Sequence, residues 1–238
     1  RINYTPSEEL VVLRKFGLEA MPRVVVWQLC EHNDLEGQIL YAEWQANGSP
    51  PIVPEITGGQ IWMGRSPTHR LFDALAQRGS WPYAGTYRDK NGKYHSVMFS
   101  NLLDYRQRPG LHWGWPLLVK DLRDGHAILK ERRIPLVVTL MPMKLRVMGH
   151  YVEFLPRMQT LLPLDWDIPE EETFGYALAS LCEELDVRFV DVTAALKSRT
   201  AGGELVYPPF ESHLSKIGHE VVAQEIERAV SELLADAE

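Results

Sequence analysis

Three short apolar runs punctuate the chain, and amphipathic stretches separate them. The first, PRVVVWQLC at 22–30, sets three valines in succession and predicts a fully buried strand. IPLVVTLMP at 134–142 predicts a second strand, closed by Pro142, and VRFVDVT at 187–193 a third. Ahead of the first run, TPSE at 5–8 has the form of a capping box, with Thr5 as N-cap, Pro6 at N1 and Glu8 at N3. A helix from Pro6 to Phe16 follows from it, with Gly17 as a left-handed stop.

PLLVKDLRDGHAILKERR, 116–133, carries Leu118, Leu122 and Ile128–Leu129 on one face and predicts a helix weakened at Gly125. Residues 145–163 predict another helix, and EEETFGYALASLCEELD, 170–186, one with acids in its first turn. The last helix starts from Ser215 as N-cap and buries Ile217, Val221, Ile226, Val230 and Leu233. Between the first strand and this regular half, residues 36–117 are rich in Trp, Gly, Pro and Tyr and show poor periodicity. They predict a long β-rich insertion within one domain, 1–238. GGQIWMG (58–64) and YRDKNGKYHSVMF (87–99) are its short strands, the latter folded at Asn91-Gly92 into a hairpin. Specificity residues concentrate on such loops. The alternation of helix and strand is an α/β rhythm, and right-handed crossovers make the strands parallel with helices on both faces, a three-layer α/β/α arrangement.

Composition changes this picture little. The chain has 238 residues, 45% hydrophobic and 24% charged, enough for a self-sufficient core. A net charge of −7 argues against a nucleic-acid or anionic-membrane partner. No apolar run reaches the ~18 residues of a membrane span, and no signal peptide is visible, which leaves compartment and oligomeric state open. Cys30 and Cys182 read as buried free thiols.

Ligands of open parallel sheets bind beyond the carboxyl ends of the strands. That rule selects EHND at 31–34, PMKLR at 142–146 and the loop carrying Glu211 and His213. His213 has the chemistry of a general base, and a carboxylate two residues earlier can fix its tautomer and stabilise the imidazolium. The competing reading is a surface histidine beside a helix start. Asn33 offers an amide donor for an oxyanion, or only an Asn-Asp turn. Lys144 and Arg146 after the second strand would bind an anionic or sugar substrate or orient a loop, with solvated surface charge as the alternative, and Asp34, next to Asn33, is a further candidate substrate contact. Glu211, His213 and His219 match no zinc spacing, so neither a metal nor another cofactor is expected. ITGGQIW lacks the strand-to-helix context of a phosphate loop.

With these residues in place, the chain resembles the SGNH (GDSL-type) hydrolase superfamily. VVVWQLCEHNDLEG resembles the strand whose Asn serves the oxyanion hole, and FVDVTAALKSR…GELVYPPFESHLSKIGHEVVAQEI resembles the closing block with the acid and His of the triad. VVTLMPMKLRV is similar to a Pro-x-Lys segment of the alginate O-acetyltransferase-like branch. The resemblance implies a flavodoxin-like SGNH fold and a Ser-His-Asp/Glu mechanism. It implies an ester hydrolase or O-acyltransferase acting on O-acyl, chiefly acetyl, groups of a carbohydrate, with a small-molecule or glycan ester as its partner. Three departures stand out. Glu211 occupies the place of the family Asp, the Gly-Asp-Ser nucleophile block has no match, and neither does the Gly-bearing second block. Ser66, in GRSP, lacks the required strand-to-helix turn. The expectation is a sheet lacking its first strands, with the nucleophile on them and residues 23–30 at an exposed edge. The alternative is an inactive carbohydrate-binding module in which Trp62, Trp81, Trp113 and Trp115 stack on sugar rings.

Overall fold

The computed structural model describes residues 5–31, 33–47, 84–99, 109–156 and 170–235. In chain order, its elements begin with α1 (Pro6–Val12), β1 (Val25–Cys30) and α2 (Asp34–Asn47). A hairpin, β2 (Gly85–Arg88) and β3 (Tyr94–Val97), precedes α3 (Gly114–Glu131) and β4 (Leu136–Met141). Then come α4 (Lys144–Met148), β5 (Val152–Phe154), α5 (Phe174–Leu185), β6 (Arg188–Asp191), α6 (Thr193–Ala201) and α7 (Lys216–Ala235).

The fold is mixed α/β around a parallel sheet of order β1-β4-β6. β4 is central and buried along its whole length. Its alternate residues feed two cores. Leu136, Val138 and Leu140 join Trp27 and Leu29 of β1 beneath α3 and α5, with Leu118, Leu122 and Phe174 among the contacts. Val137 and Met141 join Leu196 of α6 and Val221, Val222 and Ala229 of α7 on the opposite face. β1 was expected to be fully buried, yet only its Trp27 and Leu29 face is covered. Val26 is 38% exposed and Gln28 is exposed as well, because α7 lies over β4 and β6 rather than over β1. Among the described residues β1 pairs with β4 alone, so it forms an edge of the described sheet.

Both halves of the capping box form: Thr5 Oγ1 accepts from the Glu8 amide and Glu8 Oε2 from the Thr5 amide. The helix does not stop at Gly17. α1 widens into a π turn over Leu13–Gly17 and tightens into a 3-10 turn over Leu18–Ala20. Gly17 keeps a right-handed φ of −62°, and the left-handed residue is Met21, at φ 49°.

Residues 36–47, expected as the start of the insertion, lie in α2. This helix has a weak apolar stripe and is held largely by polar contacts. Gln38 Nε2 donates to Asp121 Oδ2 at 2.7 Å, and the Ser7 hydroxyl lies 2.7 Å from Gln38 Oε1 and also beside Asp121 Oδ2, with one proton to share between them. α3 likewise begins inside the expected insertion, at Gly114, where a Cβ would stand 1.9 Å from the Leu35 carbonyl oxygen. The predicted hairpin forms, with Gly92 at φ 79° in its turn. A third strand joins it: β5 pairs antiparallel with β2. The helix expected within 145–163 is the short α4, and the rest of the described part of that range is a 3-10 turn at Gly149–Tyr151 and β5. Glu170–Glu172 form a separate 3-10 turn, and α5 starts after them from Thr173, whose hydroxyl accepts from the Tyr176 amide at 3.1 Å. α7 starts as predicted, with Ser215 Oγ accepting from the Gly218 amide at 3.1 Å.

Candidate active site

The carboxyl ends of β1 and β4 open into a cleft of about 450 Å³. Its lining includes Gln28, Asn33, Met143, Lys144, Ser212 and His213. A smaller hollow of about 300 Å³, against Lys130, Arg133 and Arg188, lies at the amino ends of β4 and β6, away from the places the strand rule selects.

One wall of the cleft is the loop between α6 and α7. Tyr207, buried, donates its hydroxyl to the Pro142 carbonyl at 2.5 Å, and Ser215 donates through its amide to Val206 O and through its hydroxyl to Leu205 O. On this frame His213 Nδ1 meets Glu211 Oε1 at 2.8 Å, and the same oxygen accepts the Ser212 amide at 2.8 Å. The hydrogen bond from His213, followed by those from the backbone amides of Ser212 and His213, holds the Glu211 carboxyl below its ordinary range. An ionised carboxylate is acceptor-only, so Nδ1 is the donor in this contact, and the neutral ring that matches it keeps a lone pair on Nε2. That is the tautomer a general base needs. The pair is open to solvent, at 81% and 55% side-chain exposure for His213 and Glu211.

Asn33 also lines the cleft, and its backbone carbonyl accepts the Gly37 amide at 2.8 Å as α2 begins. The structure therefore places Asn33 and His213 on one cleft, with Glu211 held against the His213 ring. The other three expected residues have polar groups engaged within the protein. Asp34 is buried and accepts the Cys30 amide at 2.7 Å, tying the start of α2 to the end of β1. Burial pushes its carboxyl up to about 8 against that hydrogen bond. Arg146 closes on Glu31 instead: its Nε lies 2.6 and 2.8 Å from the two carboxylate oxygens, and a second guanidinium nitrogen joins them. Glu31 is buried and also accepts the Met143 amide at 3.1 Å, so this ion pair joins the ends of β1 and β4. Lys144 is in the cleft wall but only 5% exposed, and its three donors are spent on the carbonyls of Pro208, Pro209 and Glu211. Burial draws its ammonium down to about 8, partly offset by the Glu211 charge.

Sequence reasoning passed over Gln28, whose exposed side chain lines the cleft. Its signal was a lone amide within an apolar run. Glu31 was also passed over, although an acid at the end of a buried strand must find a partner. Cys30 borders the cleft, but burial, then the Asp34 charge, push its thiol up to about 12, which leaves no thiolate to act as a nucleophile. Among the described residues no hydroxyl or thiol hydrogen-bonds the His213 ring. His219 is exposed at the cleft's border, and no group of metal-binding side chains gathers among the described residues. Trp115 packs edge-to-face on Phe174 at 5.9 Å, in the core rather than on a sugar platform, while Trp113 is 84% exposed. Residues 58–64, with Trp62, and Ser66 and Trp81 lie outside the described residues. No family model, curated protein or solved structure matches this chain, so its function must be argued from the cleft itself.

Proposed function

We propose that the cleft belongs to an SGNH-type ester hydrolase or O-acyltransferase acting on O-acyl groups, chiefly acetyl, of a carbohydrate. The observation that carries this reading is the 2.8 Å contact of Glu211 with His213 on a cleft shared with Asn33, beyond the carboxyl ends of two parallel strands. In this reading a serine from outside the described residues attacks the acyl carbon, and His213 Nε2 takes its proton. Glu211 holds the imidazolium, and the Asn33 amide donates to the oxyanion. His213 returns that proton to the alcohol that leaves as the acyl-enzyme forms; it then takes a proton from the attacking water or sugar hydroxyl and gives it to the serine oxygen as the acyl group is transferred. The longer Glu side chain takes the family Asp's role because the loop brings it onto Nδ1.

The test is turnover of a chromogenic acetyl ester by the full-length protein and by His213→Ala, with labelling by a fluorophosphonate as a second readout. The substitution is expected to lower turnover by about 10²–10⁴-fold. An unchanged rate refutes the role of His213. The exposed Trp113 favours a second reading, a carbohydrate-binding module without turnover. Glycan binding by a full-length protein that neither cleaves the ester nor takes the label would select it.

A further inference from the structure

We propose that Lys144 is the positioning residue of the candidate base: it gathers the carbonyls of Pro208, Pro209 and Glu211 around its ammonium and so shapes the loop on which Glu211 meets His213. The inference rests on reading His213 as the base.

The loop's own chemistry creates the need. Pro208 and Pro209 have no backbone N–H, so this segment has acceptors to offer and few donors with which to hold itself. Between Pro208 and Ser212 the one backbone bond with both ends inside the segment, from the Glu211 amide to Pro208 O, is long at 3.4 Å. An ammonium is the complementary group, with three donors and no acceptor. Lys144 places all three at 2.7, 2.9 and 3.1 Å from the carbonyls of Pro208, Pro209 and Glu211. The Met98 amide, just past β3, adds a fourth donor to Pro209 O at 2.9 Å.

Lys144 is itself well anchored. It opens α4 directly after the central strand β4, is 5% exposed, and its ammonium stands 5.6 Å from the centroid of the Phe99 ring. The loop thus takes its position from the most buried strand of the sheet. The Glu211–His213 contact cannot supply that position, since both side chains stand largely in water. Lys144 touches neither partner's side chain in the hydrogen bonds it makes. It acts through the backbone, which places the Glu211 carboxylate two residues ahead of the ring it must meet.

The experiment reads the His213 ring nitrogens by NMR in protein labelled with 15N-histidine, and needs no substrate. Wild type is expected to show the Nδ1–H tautomer once the ring is neutral. Lys144→Met should lose that preference and match Glu211→Gln, whereas Lys144→Arg, which keeps charge and donors, should retain it. Wild-type shifts in Lys144→Met, or indistinguishable Met and Arg variants, would overturn the proposal. Should Lys144→Met not fold, Lys144→Gln, which has two N–H donors in place of three and no charge, decides: its preference for the Nδ1–H tautomer should fall between those of wild type and Glu211→Gln, and wild-type shifts in it would overturn the clamp. Because these readouts are independent of turnover, a retained clamp in a protein without esterase activity would refute the proposed function and leave the role of Lys144 standing.

Discussion

Replacing Arg146 by Met tests the architecture beneath the cleft. The substitution keeps the length of the side chain and removes the guanidinium from Glu31, which is 2% exposed while Arg146 is 18% exposed. Glu31 would keep the Met143 amide, 3.1 Å away, as a donor to its carboxylate. Breaking a buried pair by removing one partner costs about 3–5 kcal/mol, because the remaining charge has been taken out of water without compensation. Against a typical domain stability of about 5–15 kcal/mol, that is a large fraction of the whole. At the ~2–4 °C per kcal/mol usual for a chain of this size, the melting temperature should fall by about 6–20 °C. Urea unfolding followed by circular dichroism measures the loss, with the slope unchanged and the midpoint lowered. Adding Glu31→Gln to Arg146→Met should recover most of the loss, since the amide carries no charge and still offers an oxygen to the Met143 amide. A single Arg146→Met substitution costing under about 1 kcal/mol, the range of exposed pairs, would refute the reasoning. So would a double variant less stable than the single one.

Gly125→Ala in α3 is expected to destabilise despite the ~1 kcal/mol that alanine gains over glycine in a helix. A Cβ there would lie 2.3 Å from the Trp27 ring, and overpacking of that kind costs about 1–3 kcal/mol; a higher urea midpoint would contradict it. The pH dependence of stability has a definite sign as well. Burial raises Glu9 to about 7, against the bond from Trp27, and Asp34 to about 8. Unfolded carboxylates titrate near ~4, so these groups stabilise the fold fully below ~4 and lose that contribution as pH rises through their folded values. Between about pH 6.5 and 7.5 the wild-type midpoint should fall relative to that of Asp34→Asn, and a difference that grows with pH in the other direction would refute the Asp34 assignment.

Local patterns were the legible part of this chain. The capping box at Thr5–Glu8, the Asn91-Gly92 hairpin and the Ser215 start of α7 each depend on residues a few positions apart, and each forms. The runs around β4 and β6 were legible because a strand between two helical layers needs apolar residues on both faces. α2 escaped because it is held through Gln38, Asp34 and Asp121 rather than by an apolar stripe. β5 escaped because its partner Gly85–Tyr87 is remote in sequence. The candidate site divides in the same way. Glu211 and His213 stand two residues apart, so their contact could be anticipated. Lys144 and Arg146 could be seen as charges for a substrate or a loop, but their partners could not be named, since the prolyl loop and Glu31 reach them only through the fold.

The openness of the Glu211–His213 pair bears on when it acts. Water around the two side chains is a dielectric shield, and the attraction between an imidazolium and a carboxylate varies inversely with the effective dielectric constant. Passing from bulk water, ~80, to the ~20 of a covered protein surface strengthens that attraction about fourfold. In the proposed reaction an ester lying across His213 would displace this water. The molecule that fills the cleft would then also strengthen the coupling of the base to its carboxylate, which stays weak while the pair stands in water.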